Sequence, residues 1–151
     1  MPEMRSLRFE TFDEAFEEAE SLSRGKVRTT GNYTFGQIIE HLARTLDIVS
    51  GQRRGPTSSL AMRMFARLVR PFVLKKARPG FKLPVNAQSI FWPTEDVPTD
   101  QAMDHLRSAA RVFQNMSPLP THPFFGSMSR QQHDQLQCRH FELHLGFVHP
   151  D

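Results

Sequence analysis

A chain of 151 residues with 38% hydrophobic and 23% charged residues suits one globular domain, and we take residues 1–151 as a single unit. Its formal net charge is +3, and no run approaches the 18 apolar residues of a membrane span, which argues against a membrane partner. The lone cysteine, Cys138, rules out an intrachain disulfide and suits a reducing, cytoplasmic setting; the acid-rich start does not resemble a signal peptide.

Five helices are predicted. Thr11 caps the first, with Glu14 as capping-box partner, and Phe12, Ala15, Phe16 and Ala19 form its stripe up to about Gly25. Thr34 caps the second, whose apolar positions Phe35, Ile38, Ile39, Leu42, Leu46 and Val49 follow a 3.6-residue period to about Ser50. The third runs from Ser59 to about Val69, where Leu60, Met64 and Leu68 are expected inward and Arg63 and Arg67 outward; Pro71 bends or ends it. The fourth spans Thr99 to Asn115 on Ala102, Leu106, Ala109, Ala110 and Phe113. The fifth runs from Ser129 to about Phe147.

Between the third and fourth lies a proline-rich connection, 77–98, expected to lack regular structure. Its Phe81, Leu83, Ile90, Phe91 and Trp92 predict that it packs across the helices. No strand alternation and no repeat is visible. The expected architecture is all-α, an up-down bundle with one elaborate connection. The basic stretch Arg63 to Arg78 suggests either a polyanion- or membrane-surface helix or a core helix with a solvated basic face. The second is the commoner arrangement, and nucleic acid is accordingly not an expected partner.

The chemistry concentrates on histidine. His140 and His144 stand at i and i+4, stacked on one helical face beside Leu136, Leu143 and Phe147. Two imidazoles so placed can share a metal ion, and a third ligand would leave an open position for water or substrate. His41, bordering the apolar stripe of the second helix, is the candidate third ligand, with Gln37 one turn earlier. At the level of single residues the alternative is a set of hydrogen-bonded core histidines. His133, two turns before His140 on nearly the same face, is too far to share an ion with His144 and suits a pocket wall. Arg139 is a candidate outer neighbour of the ligands. His122, in Thr121-His-Pro-Phe-Phe-Gly126, reads as a turn residue, His105 and His149 as surface residues, and Cys138 as a small packed residue on another face.

Taken together, Thr34-Phe-Gly-Gln-Ile-Ile-Glu-His-Leu-Ala43 and His140-Phe-Glu-Leu-His144 resemble the DinB-like (DinB/YfiT) superfamily of metal-binding helical bundles. Pro79-Gly-Phe-Lys-Leu-Pro84 and His122-Pro-Phe-Phe-Gly126 resemble a subgroup of it without an assigned function. The resemblance spans Thr34 to Val148 and departs at His133, where related sequences tend to carry Trp. It implies a four-helix bundle with an additional short helix, and a divalent metal, Zn or Ni, on His41, His140 and His144. It also implies thiol-dependent transfer or hydrolysis on a small molecule, a low-molecular-weight thiol as co-substrate, and a homodimer. The other reading is a non-catalytic, metal-binding or dimerising bundle.

Overall fold

The computed structural model describes residues 2–80 and 83–151; the expectation that Phe81 packs across the helices lies outside the described residues. Six helices and one two-stranded ladder are found among them: α1 (Phe12–Ser23), β1 (Val27–Thr29), α2 (Phe35–Val49), α3 (Leu60–Lys75), α4 (Val85–Phe91), α5 (Thr99–Asn115), α6 (Arg130–Leu145) and β2 (Val148–Pro150). The protein is mainly helical, as its periodicity predicts.

The helix starts follow from capping chemistry. Thr11, Thr34, Ser59 and Ser129 each accept a hydrogen bond from a backbone N–H in the first turn, satisfying a donor that would otherwise be orphaned. Full capping boxes form at Thr34–Gln37 and Ser129–Gln132. Glu14 reaches past Thr11 instead and accepts from the Glu10 N–H at 2.9 Å.

α2 packs along α5, and α1 lies against α6 and α5. Their apolar faces meet in one core of Phe12, Ala15, Ile38, Leu42, Leu46, Met103, Leu106, Phe113, Phe141 and Leu145, all 5% exposed or less. Phe12 anchors it, with ring centroids 5.0 Å from Phe113 and 5.6 Å from Phe141. Each buried large side chain is worth about 1.5–3 kcal/mol of transfer energy. Burial of this face, more than helix propensity, therefore holds α1, α2, α5 and α6 in place.

Four expectations need correction. The connection 77–98 is not irregular throughout, because α4 forms over Val85–Phe91, its first turn built on the Pro84 carbonyl, which accepts from Ala87 and Gln88. A short antiparallel ladder pairs Val27 with Pro150 and Thr29 with Val148. Strands of three residues are too short to leave a period-2 signal. α3 continues through Pro71 to Lys75, and its Leu60, Met64 and Leu68 face solvent, at 63–73% exposed, while Ala66 and Leu74 are buried. The helix leans on α6 by a different stripe from the one its large apolar residues mark. His149, expected at the surface, is 6% exposed, because β2 draws it beside Thr30 and the Glu3 carbonyl.

Candidate metal centre

α6 presents two inward faces. Cys138, Phe141 and Leu145 enter the core, whereas His133, Gln137, His140 and His144 fall within a 60° arc on another side. That second arc meets α2. His41 Nε2 lies 3.0 Å from His140 Nε2 and 3.2 Å from His144 Nε2. The three residues form a group whose ligand atoms all lie within 4.8 Å of one another. Two chain segments 99 residues apart deliver the three to one point.

The geometry suits a shared cation. In the two pairs that include His41, nitrogens about 2.05 Å from a common ion and 3.0–3.2 Å apart subtend roughly 94–103° at it. That lies between octahedral and tetrahedral angles and leaves one side of the ion uncovered. His41 Nδ1 donates to the Phe91 carbonyl oxygen at 3.0 Å, which fixes the tautomer with its Nε2 lone pair turned to the other two rings. A metal-binding imidazole usually carries such an outer acceptor.

Electrostatics agree. Burial, reinforced by the neighbouring histidines, pushes the His41 and His144 imidazoles well below their ordinary value, and burial alone takes His140 down to about 4. All three are neutral at physiological pH, the form that coordinates a metal. The donor set, its tautomer and its charge state fit a metal ion.

Aromatic rings wall the site. Trp92, at the end of α4, stacks flat on His41 at 3.8 Å and 3°, and meets His144 edge-on at 5.2 Å. Tyr33 stacks on the far face of Trp92 at 3.8 Å. The Phe91-Trp92 pair was legible only as packing in the sequence; its contact with His41 carried no sequence signal.

The outer candidates divide. Gln37 holds the α2 terminus: its Oε1 accepts from the Thr34 N–H and its Nε2 donates to the Glu95 carbonyl, at 3.0 and 3.2 Å. Its amide is thus occupied away from the triad. Arg139 is 3% exposed and donates to the Phe9 carbonyl at 2.6 Å and to Glu142 at 2.9 Å, tying down the N-terminal segment. His133 is buried 6.4 Å from His122, centroid to centroid. His133 Nδ1, Gln137 Oε1 and His140 Nδ1 are buried without a partner among the described residues, so a polar stripe extends from the ligands along α6. His122 does act in a turn, its Nδ1 accepting from the Phe124 and Phe125 N–H groups at 3.1 Å. Burial, then His133 and His140, push it down to about 3. Cys138 is 1% exposed with its thiol pushed up to about 11 by burial, an inert packed residue as expected.

His105 is the second correction among the histidines. It lies on α5 between Glu40 Oε1 at 2.5 Å and Asp47 Oδ2 at 2.6 Å, donating from both ring nitrogens. The Glu40 bond, aided by Asp47, raises it to about 9, against the opposing effect of burial. Glu40 and Asp47 are two turns apart on one face of α2 and share this cationic partner.

The pattern of one protein family, described as a protein of unknown function (DUF1569), matches residues 1–151. The chain belongs to this family. No curated protein and no solved structure matches it. The family supplies no activity, so any function must come from the residues.

Proposed function

We propose that this DUF1569 protein is a metal-dependent enzyme built on a DinB-like up-down bundle, with a divalent ion, Zn or Ni, on His41, His140 and His144. The observation that carries the reading is the convergence of His140 Nε2 and His144 Nε2 on His41 Nε2, at 3.0 and 3.2 Å. The Phe91 carbonyl supports it, since it holds the proton on His41 Nδ1 and leaves that Nε2 free to coordinate.

When bound, a divalent ion of this kind lowers the pKa of a coordinated water or thiol and so supplies a nucleophile near neutral pH. Every other contribution comes from the chain. The Phe91 carbonyl keeps His41 in its coordinating tautomer, Trp92 holds the ring in plane, and burial keeps all three imidazoles unprotonated. His133 and Gln137, buried beside His140, carry polar atoms without a partner among the described residues. Thiol-dependent transfer or hydrolysis is the reaction class this arrangement suits, with a low-molecular-weight thiol or water as nucleophile.

A second reading, a non-catalytic metal-binding or dimerising bundle, draws on the group around His41, which among the described residues includes no carboxylate. The ligand set then has no general base of its own. The deciding experiment is elemental analysis of purified protein beside His140→Ala/His144→Ala, followed by a screen of thiol and ester substrates with and without chelator. Near-stoichiometric metal with chelator-sensitive turnover supports the enzyme. Metal with no turnover supports the second reading, and no uptake of Zn²⁺ or Ni²⁺ removes the enzyme and leaves a bundle whose histidines are structural.

A further inference from the structure

α3 turns to solvent the side chains its composition would bury. Leu60, Met64, Phe65, Leu68 and Phe72 are 61–73% exposed. At 100° per residue they occupy a continuous arc of about 140°, along a helix roughly 24 Å long. Isolated exposed apolar residues are ordinary, but a contiguous stripe of this size marks an interaction surface. The helix is held firmly in that orientation. Arg70 donates to the Phe125 and Ser127 carbonyls at 3.1 and 3.0 Å, and Gln135 donates to the Leu74 carbonyl at 2.8 Å.

The frame around the stripe is entirely cationic. Positions 48–94 contain nine of the chain's 19 Lys and Arg residues and no Asp or Glu. Arg63, Arg67, Lys75, Lys76 and Arg78 are exposed. Among the described residues, none of the five is ion-paired with a carboxylate. From this juxtaposition we infer that α3 seats the protein on an anionic lipid surface. The Leu, Met and Phe side chains enter the boundary between headgroups and acyl chains, and the flanking cations meet lipid phosphates. No helix among the described residues is long and apolar enough to cross a membrane, so the helix lies in the interface plane.

Charge separates this partner from the others. A second copy packed antiparallel on the same stripe brings Arg63 and Arg67 of one molecule toward Lys75 and Lys76 of the other, and like charges oppose it. Nucleic acid would satisfy the cations but leave the apolar stripe without a partner, since such interfaces are polar. The inference rests on α3 alone and is independent of the metal reading.

The test is flotation with phosphatidylcholine vesicles, with and without phosphatidylglycerol, on the full chain. The parent is expected to float with the anionic vesicles only, and less so as salt rises. Leu68→Ser/Phe72→Ser should weaken binding at least about tenfold at unchanged helical content. Lys75→Ala/Lys76→Ala should weaken it about fivefold per cation. Equal binding to neutral and anionic vesicles, or a Leu68→Ser/Phe72→Ser variant that floats like the parent, overturns the inference. So does failure to float in a parent that sediments as a dimer until Leu68 and Phe72 are replaced, which would assign the stripe to a second copy. Duplex DNA binding that survives those replacements, again without flotation, would assign the cations to nucleic acid.

Discussion

His41 and Phe91 are joined by a hydrogen bond from imidazole Nδ1 to main-chain carbonyl at 3.0 Å, and this bond decides which His41 nitrogen can bind a metal. Because Nδ1 carries the proton, Nε2 presents its lone pair to His140 and His144. Metal should therefore stabilise the folded state directly. At about 100 times Kd a single ion adds about 2.7 kcal/mol, or roughly 5–11 °C in Tm for a chain of this length. Melting curves with and without Zn²⁺ should show that rise in the parent and lose it in His140→Ala. An equal rise in both would place any metal elsewhere.

Trp92 offers a direct optical readout, being the chain's one tryptophan and stacked at 3.8 Å on His41. Titration with Ni²⁺ should change its fluorescence saturably, and chelator should reverse the change. Trp92→Ala should retain helical content but bind metal about 10–100 times more weakly, as expected for loss of a group that orients a ligand. Unchanged affinity would show that the ring only fills space.

The relation between sequence and site is uneven for physical reasons. α2 declares itself through its apolar period and its Thr34–Gln37 capping box, and α5 through its apolar period alone, because both buried faces are apolar. The triad is readable as i, i+4 spacing plus an inward His41. α3 misleads, since its apolar stripe and the stripe it buries are different, and periodicity reports the first without saying what covers it. Trp92 over His41, and His105 between Glu40 and Asp47, depend on contacts between segments distant in the chain, which no local pattern records.

Gly36 marks where α2 meets the approach to α5. A Cβ there would collide with the Val97 carbonyl oxygen, and the collision is with backbone, which cannot swing aside. The same junction carries the bond from Thr34 Oγ1 to Asp96 at 2.8 Å. Gly36→Ala should thus push the 95–98 segment away and cost about 1–3 kcal/mol, despite the better helix propensity of alanine. Urea denaturation would measure it as a lower midpoint with unchanged slope. A variant as stable as the parent would show that the junction yields freely.

The His105 pairing makes stability depend on pH with a definite sign. Its pKa is about 9 when folded, against about 6.5 when unfolded. Below about pH 6.5 both states hold the proton, and the bonds to Glu40 and Asp47 contribute fully. As pH rises toward 9 the unfolded state has already lost its proton while the folded state keeps it, so the contribution declines, and it is gone above the folded value. Partial exposure of the cluster keeps the effect modest. A loss of roughly 2–4 °C in Tm, about 1 kcal/mol for this length, is expected between about pH 6 and pH 10 beyond that of His105→Gln. Glu40→Gln should flatten the same dependence, because its bond is the largest contributor to the raised pKa. Parallel pH profiles for the parent and His105→Gln would show that the three groups carry no net coupling to folding.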